Sequence, residues 1–125
     1  MILKLGETGA VRVLVSPHVL EEIEGVLRRK APSLLGALAL LLDRSGAEVV
    51  SVPTPEIVRN SQILTGHIGD AQVLAAAWTG QPDYFVTLER KHFLDNQTLR
   101  ETVPFPVGTP GDFLAWYRGQ LSGAA

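Results

Sequence analysis

The chain has 125 residues, 46% hydrophobic and 19% charged: enough apolar material for one core, too short for two domains, and the wrong composition for a disordered chain. Eleven basic residues against 13 acidic ones give a net charge of -2, so no global positive field exists to hold nucleic acid, and any such contact must be local. The lack of cysteine excludes disulfides, thiolate-ligated zinc, iron-sulfur clusters and thiol nucleophiles together.

Residues 1–7 are apolar at 1, 2, 3 and 5 and break at Thr8-Gly9, which reads as the end of a helix. Val11 to Val15 is a short β-branched run and predicts a buried strand. Ser16 then caps a helix with Pro17 in its first turn. This helix runs to about Lys30, with Val19, Leu20, Ile23, Val26 and Leu27 as its apolar stripe. Pro32 opens a second helix, to about Arg44, apolar around most of its circumference and therefore expected to be packed or to contact another subunit. Gly46 ends it. Its apolar stretch, Leu34 to Leu42, is about half of the roughly 20 residues a membrane span needs. With Lys4 and Glu7 near the start and no apolar leader, the expectation is a cytoplasmic protein with no membrane partner.

Ala47 to Val52 predicts the next strand, and Pro53 and Pro55 separate it from a helix over about Glu56 to Leu64 that Thr65-Gly66 stops. Asp70 lies in the first turn of an alanine-rich helix closed by Gly80. Tyr84 to Leu88 reads as a strand, and Val107 marks a last strand before a helix capped by Thr109 and opened by Pro110. Strands alternating with helices predict a single α/β domain over residues 1–125 with a mostly parallel sheet, whose ligands bind beyond the carboxyl ends of the strands.

Three acids stand at such places: Glu22 in the helix after the first strand, Asp70 at a helix start, and Glu89 directly after the Tyr84–Leu88 strand. Together they offer hard oxygen ligands for Mg2+ or Mn2+. Each also has a plainer role: Glu22 as a solvated helix charge, Asp70 as a helix cap, Glu89 as a turn residue. Glu22 borders the apolar stripe, where an acid needs a partner. His67 and His92 lie three residues from Asp70 and Glu89, but no two histidines have zinc-ligand spacing, so zinc is not expected. No glycine-rich phosphate loop or nucleophile elbow occurs.

The segments Ser16-Pro-His-Val-Leu-Glu-Glu22-Ile, Asp70-Ala-Gln-Val-Leu-Ala-Ala-Ala77, Asp83-Tyr-Phe-Val-Thr-Leu-Glu-Arg-Lys-His-Phe93 and Gly108-Thr-Pro-Gly-Asp-Phe-Leu114, in this order, resemble a PIN domain of the toxin component of bacterial toxin-antitoxin systems. The resemblance implies a three-layer α/β fold and a Mg2+- or Mn2+-dependent endoribonuclease with RNA as substrate and an antitoxin protein as partner. It places metal ligation and catalysis on Glu22, Asp70 and Glu89, with Ser16 and Thr87 in support. Arg12, Arg90 and Lys91 are assigned to RNA phosphates. The last family acid is an aspartate where this chain has the longer Glu89. PIN domains also begin with a strand ending in Asp-x-Asn or Asp-x-Ser, the centre of a 3-2-1-4-5 sheet, which is missing here. The fold is therefore expected to be incomplete at its N-terminus, with the gap closed by direct pairing of the remaining strands or by a partner chain, and self-association, most simply as a dimer, is expected. The alternative function is an inactive PIN remnant that serves as an oligomeric or antitoxin-binding protein.

Overall fold

The turns of this chain place its helices, through short polar caps at their starts and left-handed glycines at their ends. The computed structural model describes residues 2–123. Helix α1 (Ile2–Glu7) gives way to Gly9 at a φ of 79°, and the expectation for Met1 lies outside the described residues. After strand β1 (Leu14–Val15), Ser16 Oγ accepts the amide of Val19 at 3.3 Å and opens α2 (Pro17–Lys30), where a proline in the first turn sacrifices no helical bond. A 3-10 turn over Pro32–Leu34 leads into α3 (Leu35–Arg44), which ends before Gly46 at a φ of 66°. Strand β2 (Glu48–Val49) follows. Thr54 caps α4 (Pro55–Thr65), and Gly66 at a φ of 69° stops it as expected.

Helix α5 (Ile68–Gly80) departs from the expectation at its end. Gly80 is the last helical residue, and Gln81 takes the left-handed position at a φ of 50°. Gly80 is needed for proximity instead: a Cβ there would meet the side chains of Val50 at 3.2 Å and Leu14 at 3.3 Å, where α5 crosses the first strand pair. The chain continues through β3 (Phe85–Val86), a π-helical turn over Arg90–Leu94, α6 (Gln97–Thr102), β4 (Val107–Gly108) and α7 (Pro110–Gly123). Neither the π turn nor α6 follows from the hydrophobic periodicity.

The domain is mixed α/β, mostly helical, with four short strands among the described residues. They form two separate parallel pairs. β1 lies beside β2, with Leu14 opposite Glu48 and Val15 opposite Val49; β3 lies beside β4, with Phe85 opposite Val107 and Val86 opposite Gly108. Direct pairing of all remaining strands into one sheet does not occur. Each strand is two residues long rather than five or six, because a ladder with one neighbour leaves its other edge without hydrogen-bond partners. α5 reaches both pairs, packing Leu74 into the β3–β4 side and Gly80 against the β1–β2 side.

Burial is uneven. Leu74, Phe93, Leu99, Val103, Phe105 and Val107 form the core cluster, with Phe85 meeting Phe93 and Phe105 edge to face at centroid separations of 5.2 and 6.1 Å. α2 and α3 contain no buried residue. The expected α2 stripe is corrected accordingly: Ile23 and Val26 are exposed, and Glu22 beside them faces solvent. Leu34, Leu40 and Leu41, in and beside α3, are also exposed. No helix among the described residues is long and apolar enough to cross a membrane.

Candidate metal centre

A helix that precedes a parallel strand begins at the pole where that strand ends, so the start of α5 and the residues after β3 meet. Asp70 sits in the first turn of α5 and Glu89 immediately before the π turn. Between them stands His92. Its Nδ1 is 2.5 Å from Asp70 Oδ2 and 3.2 Å from Glu89 Oε1. His67, the cap of α5, brings its Nδ1 to 3.3 Å from the same Asp70 Oδ2 and accepts the Asp70 amide at 3.2 Å. The imidazoles of His67 and His92 stack, centroids 5.0 Å apart and planes inclined by 18°. One potential ligand atom from each of His67, Asp70 and His92 lies within 4.8 Å of the others, the sole such group of His, Asp and Glu among the described residues.

Three local devices build this cluster. The π turn is held by Leu94 N–H donating to Glu89 O at 3.2 Å and Asp95 N–H to Arg90 O at 2.7 Å, five residues back in each case, which widens the turn and carries His92 round toward α5. Glu89 Oε2 accepts the His92 amide at 2.6 Å, and Thr87 Oγ1 accepts the Glu89 amide at 3.1 Å, which holds the backbone at Glu89. Asn96 Nδ2 donates to Leu64 O at 2.8 Å and to His92 O at 3.1 Å, tying the π turn to the end of α4, next to His67.

The other candidates lie elsewhere. Glu22 stands on α2 with its side chain 65% exposed and 2.5 Å from His18 Nε2, outside the cluster. Ser16 acts as the α2 cap. Arg12 pairs with Glu48 across the β1–β2 pair, and the hydrogen bond its guanidinium donates to that carboxylate holds it more firmly protonated. Arg90 and Lys91 are exposed beside Glu89, Arg90 lying 3.8 Å from Asp95 Oδ1. Sequence spacing passed over the two histidines because 25 residues separate them, and only the packing of α5 against the π turn joins them; their offsets from Asp70 and Glu89 were the available signal.

The donor set decides what fits. Mg2+ takes nearly all its ligands as oxygen, and here imidazole nitrogens stand among the carboxylates. Mn2+ also favours oxygen, which Asp70 and Glu89 supply, whereas imidazole suits the later first-row ions. Comparison with protein-family models, with curated proteins and with solved structures finds no match to this chain.

Proposed function

We propose that this chain is a PIN-like, metal-dependent endoribonuclease in which Asp70 and Glu89 hold Mn2+, with RNA as substrate, a cytoplasmic setting, and the toxin of a toxin-antitoxin pair as its biological role. The observation that carries the reading is the meeting of Asp70 and Glu89 on His92 at the carboxyl end of β3. The strand arrangement supports it too: the parallel pairs β2-β1 and β3-β4 follow the order that the outer pairs of a 3-2-1-4-5 sheet would have. The bound metal would supply water activation and offset charge on the phosphate. Of the chain's own groups, Thr87 fixes the backbone of Glu89, Glu89 fixes the π turn through the His92 amide, and Arg90 and Lys91, exposed beside Glu89, would meet phosphates.

The test is cleavage of single-stranded RNA with Mn2+ or Mg2+. Asp70→Asn is expected to lose about 100-fold or more, since it removes a ligand, whereas Glu22→Gln keeps most activity because its carboxylate lies outside the cluster. Equal rates for the parent and Asp70→Asn would remove the cluster from the mechanism.

A second reading is favoured by the exposed Ile23, Val26, Leu34, Leu40 and Leu41: an interaction protein whose N-terminal half is covered by a second copy or by an antitoxin chain. Absence of both cleavage and any Mn2+-induced rise in Tm would leave this reading in place, because a ligand selective for the native state must stabilise it.

A further inference from the structure

We propose that His67, Asp70 and His92 form a site for a borderline transition-metal ion such as Zn2+, Co2+ or Ni2+, selected over Mg2+ by its imidazoles, with Glu89, which lies beside His92, brought in by a side-chain rotation. The inference deepens the nuclease reading, from which it takes the place of the metal at Asp70, and metal binding can be measured apart from cleavage.

The argument begins with protons. His67 Nδ1 accepts the amide of Asp70, so that nitrogen carries a lone pair and no hydrogen. Asp70 Oδ2 is a carboxylate oxygen, and it lies 3.3 Å from His67 Nδ1 and 2.5 Å from His92 Nδ1. The His92 Nδ1 is buried and has no hydrogen-bond partner of acceptable direction despite that closeness. A simple imidazolium-carboxylate pair would align the N–H with the oxygen. A cation between the ligand atoms of His67, Asp70 and His92 would instead satisfy all three.

Distances point the same way. Ligand atoms about 2.0–2.1 Å from a tetrahedral ion stand about 3.3 Å from one another. His67 Nδ1 to Asp70 Oδ2 is 3.3 Å and His92 Nδ1 to Glu89 Oε1 is 3.2 Å, while His92 Nδ1 to Asp70 Oδ2, at 2.5 Å, needs to open by about 0.8 Å, a small side-chain rotation. The supporting contacts are already in place: Glu89 Oε2 is engaged by the His92 amide, which leaves Oε1 for the ion, and Asn96 fixes the backbone of His92. His67 gives up a capping bond of 3.2 Å to become a ligand, whereas His92 gives up none, so His92 and Asp70 anchor the site. Two nitrogens with one or two carboxylates favour the later first-row divalent ions over Mg2+ and Ca2+.

The experiment uses the untagged full chain, stripped with a chelator and titrated with Co2+ while its visible ligand-field bands are followed, then with Zn2+ in competition and with Mg2+ separately. One equivalent of Co2+ is expected to give bands that Zn2+ abolishes and Mg2+ does not, and Zn2+ at 100 times its Kd should raise Tm by about 10 °C. His92→Gln and Asp70→Asn should weaken Co2+ binding at least 10-fold, and so should His67→Asn, which retains a helix cap; His18→Gln, at the distant pair, should bind as the parent does. Circular dichroism confirms that each variant is folded, with His92→Ala as a second variant at that position. No Co2+ bands, unchanged affinity in the folded His92 and His67 variants, or Mg2+ binding as tightly as Zn2+ would each overturn the site. Co2+ binding through these histidines without RNA cleavage under any metal keeps the site and sinks the nuclease reading; Mg2+-supported cleavage that survives loss of both histidines does the reverse.

Discussion

Residues 2–60 and residues 61–123 are built from similar pieces, a parallel pair of short strands flanked by helices, yet they differ in how they are held. In the second half α5 lays Leu74 against Phe93, Leu99 and Val107, and Phe85 wedges its ring between two others. In the first half the sole buried side chain is Ser45, whose hydroxyl caps Leu42 O at 3.0 Å. Equal secondary structure does not imply equal cohesion: α2, though capped by Ser16, and the largely apolar α3 lack, within the described chain, a surface to close on.

The largest expected effect is in the closed half. Phe93→Ala removes a ring only 1% exposed and should cost about 3–5 kcal/mol, a large share of the stability of a small domain; Leu40→Ala, on the open half, should change it by about 0.5 kcal/mol or less. Urea unfolding of the two variants checks this, and comparable losses would break the comparison. Next, amide exchange should be slow across α5 and α6 and faster across β1, β2, α2 and α3, by a margin that reports local opening. Uniform protection would show that something covers the first half. Light scattering tests that cover directly. The parent chain is expected to exceed its monomer mass of 13.5 kDa at high micromolar concentration, and Leu40→Glu to lower the association; a monomeric parent would leave the exposed leucines without a self-partner.

Smaller effects sharpen the picture. Ser61 Oγ is buried without a partner, so Ser61→Ala should be neutral or slightly stabilising in thermal melts, and a clear loss would reveal a role for that hydroxyl. The smallest effect concerns α7. The backbone amide of Thr109, and then its hydroxyl, hold the Asp112 carboxyl below its usual range. A folded-state pKa lowered below the unfolded one contributes stability that is present above the ordinary carboxylate range and fades as pH falls through the lowered value. Asp112→Asn should therefore flatten the acid limb of a Trp116 fluorescence titration, its small loss of stability showing at neutral pH and fading as pH falls through the lowered value.

Legibility from sequence followed the same division between local and distant interactions. Caps and stops at Ser16, Gly46, Gly66 and Thr109 were readable because each is settled by a few neighbouring residues, whereas the Thr54 cap between two prolines was not. Strand lengths were overestimated because β-branched runs such as Val11 to Val15 report a taste for extended backbone, not how many partners the backbone finds. Asp70 and Glu89 were visible through their places at a helix start and a strand end. Glu22 was misread as bordering a buried stripe since periodicity says which face is apolar, not whether another element covers it. His92 was hidden by the π turn, which no propensity predicts.

That turn has a further consequence. Each residue of an α-helix advances the side-chain direction by about 100°, so the extra residue accommodated between Glu89 and Leu94 acts as a one-step phase shift in the chain. Because His92 and Phe93 are neighbours in that turn, one phase sets both: the register that carries the imidazole toward Asp70 is the register that sends the next side chain into the core.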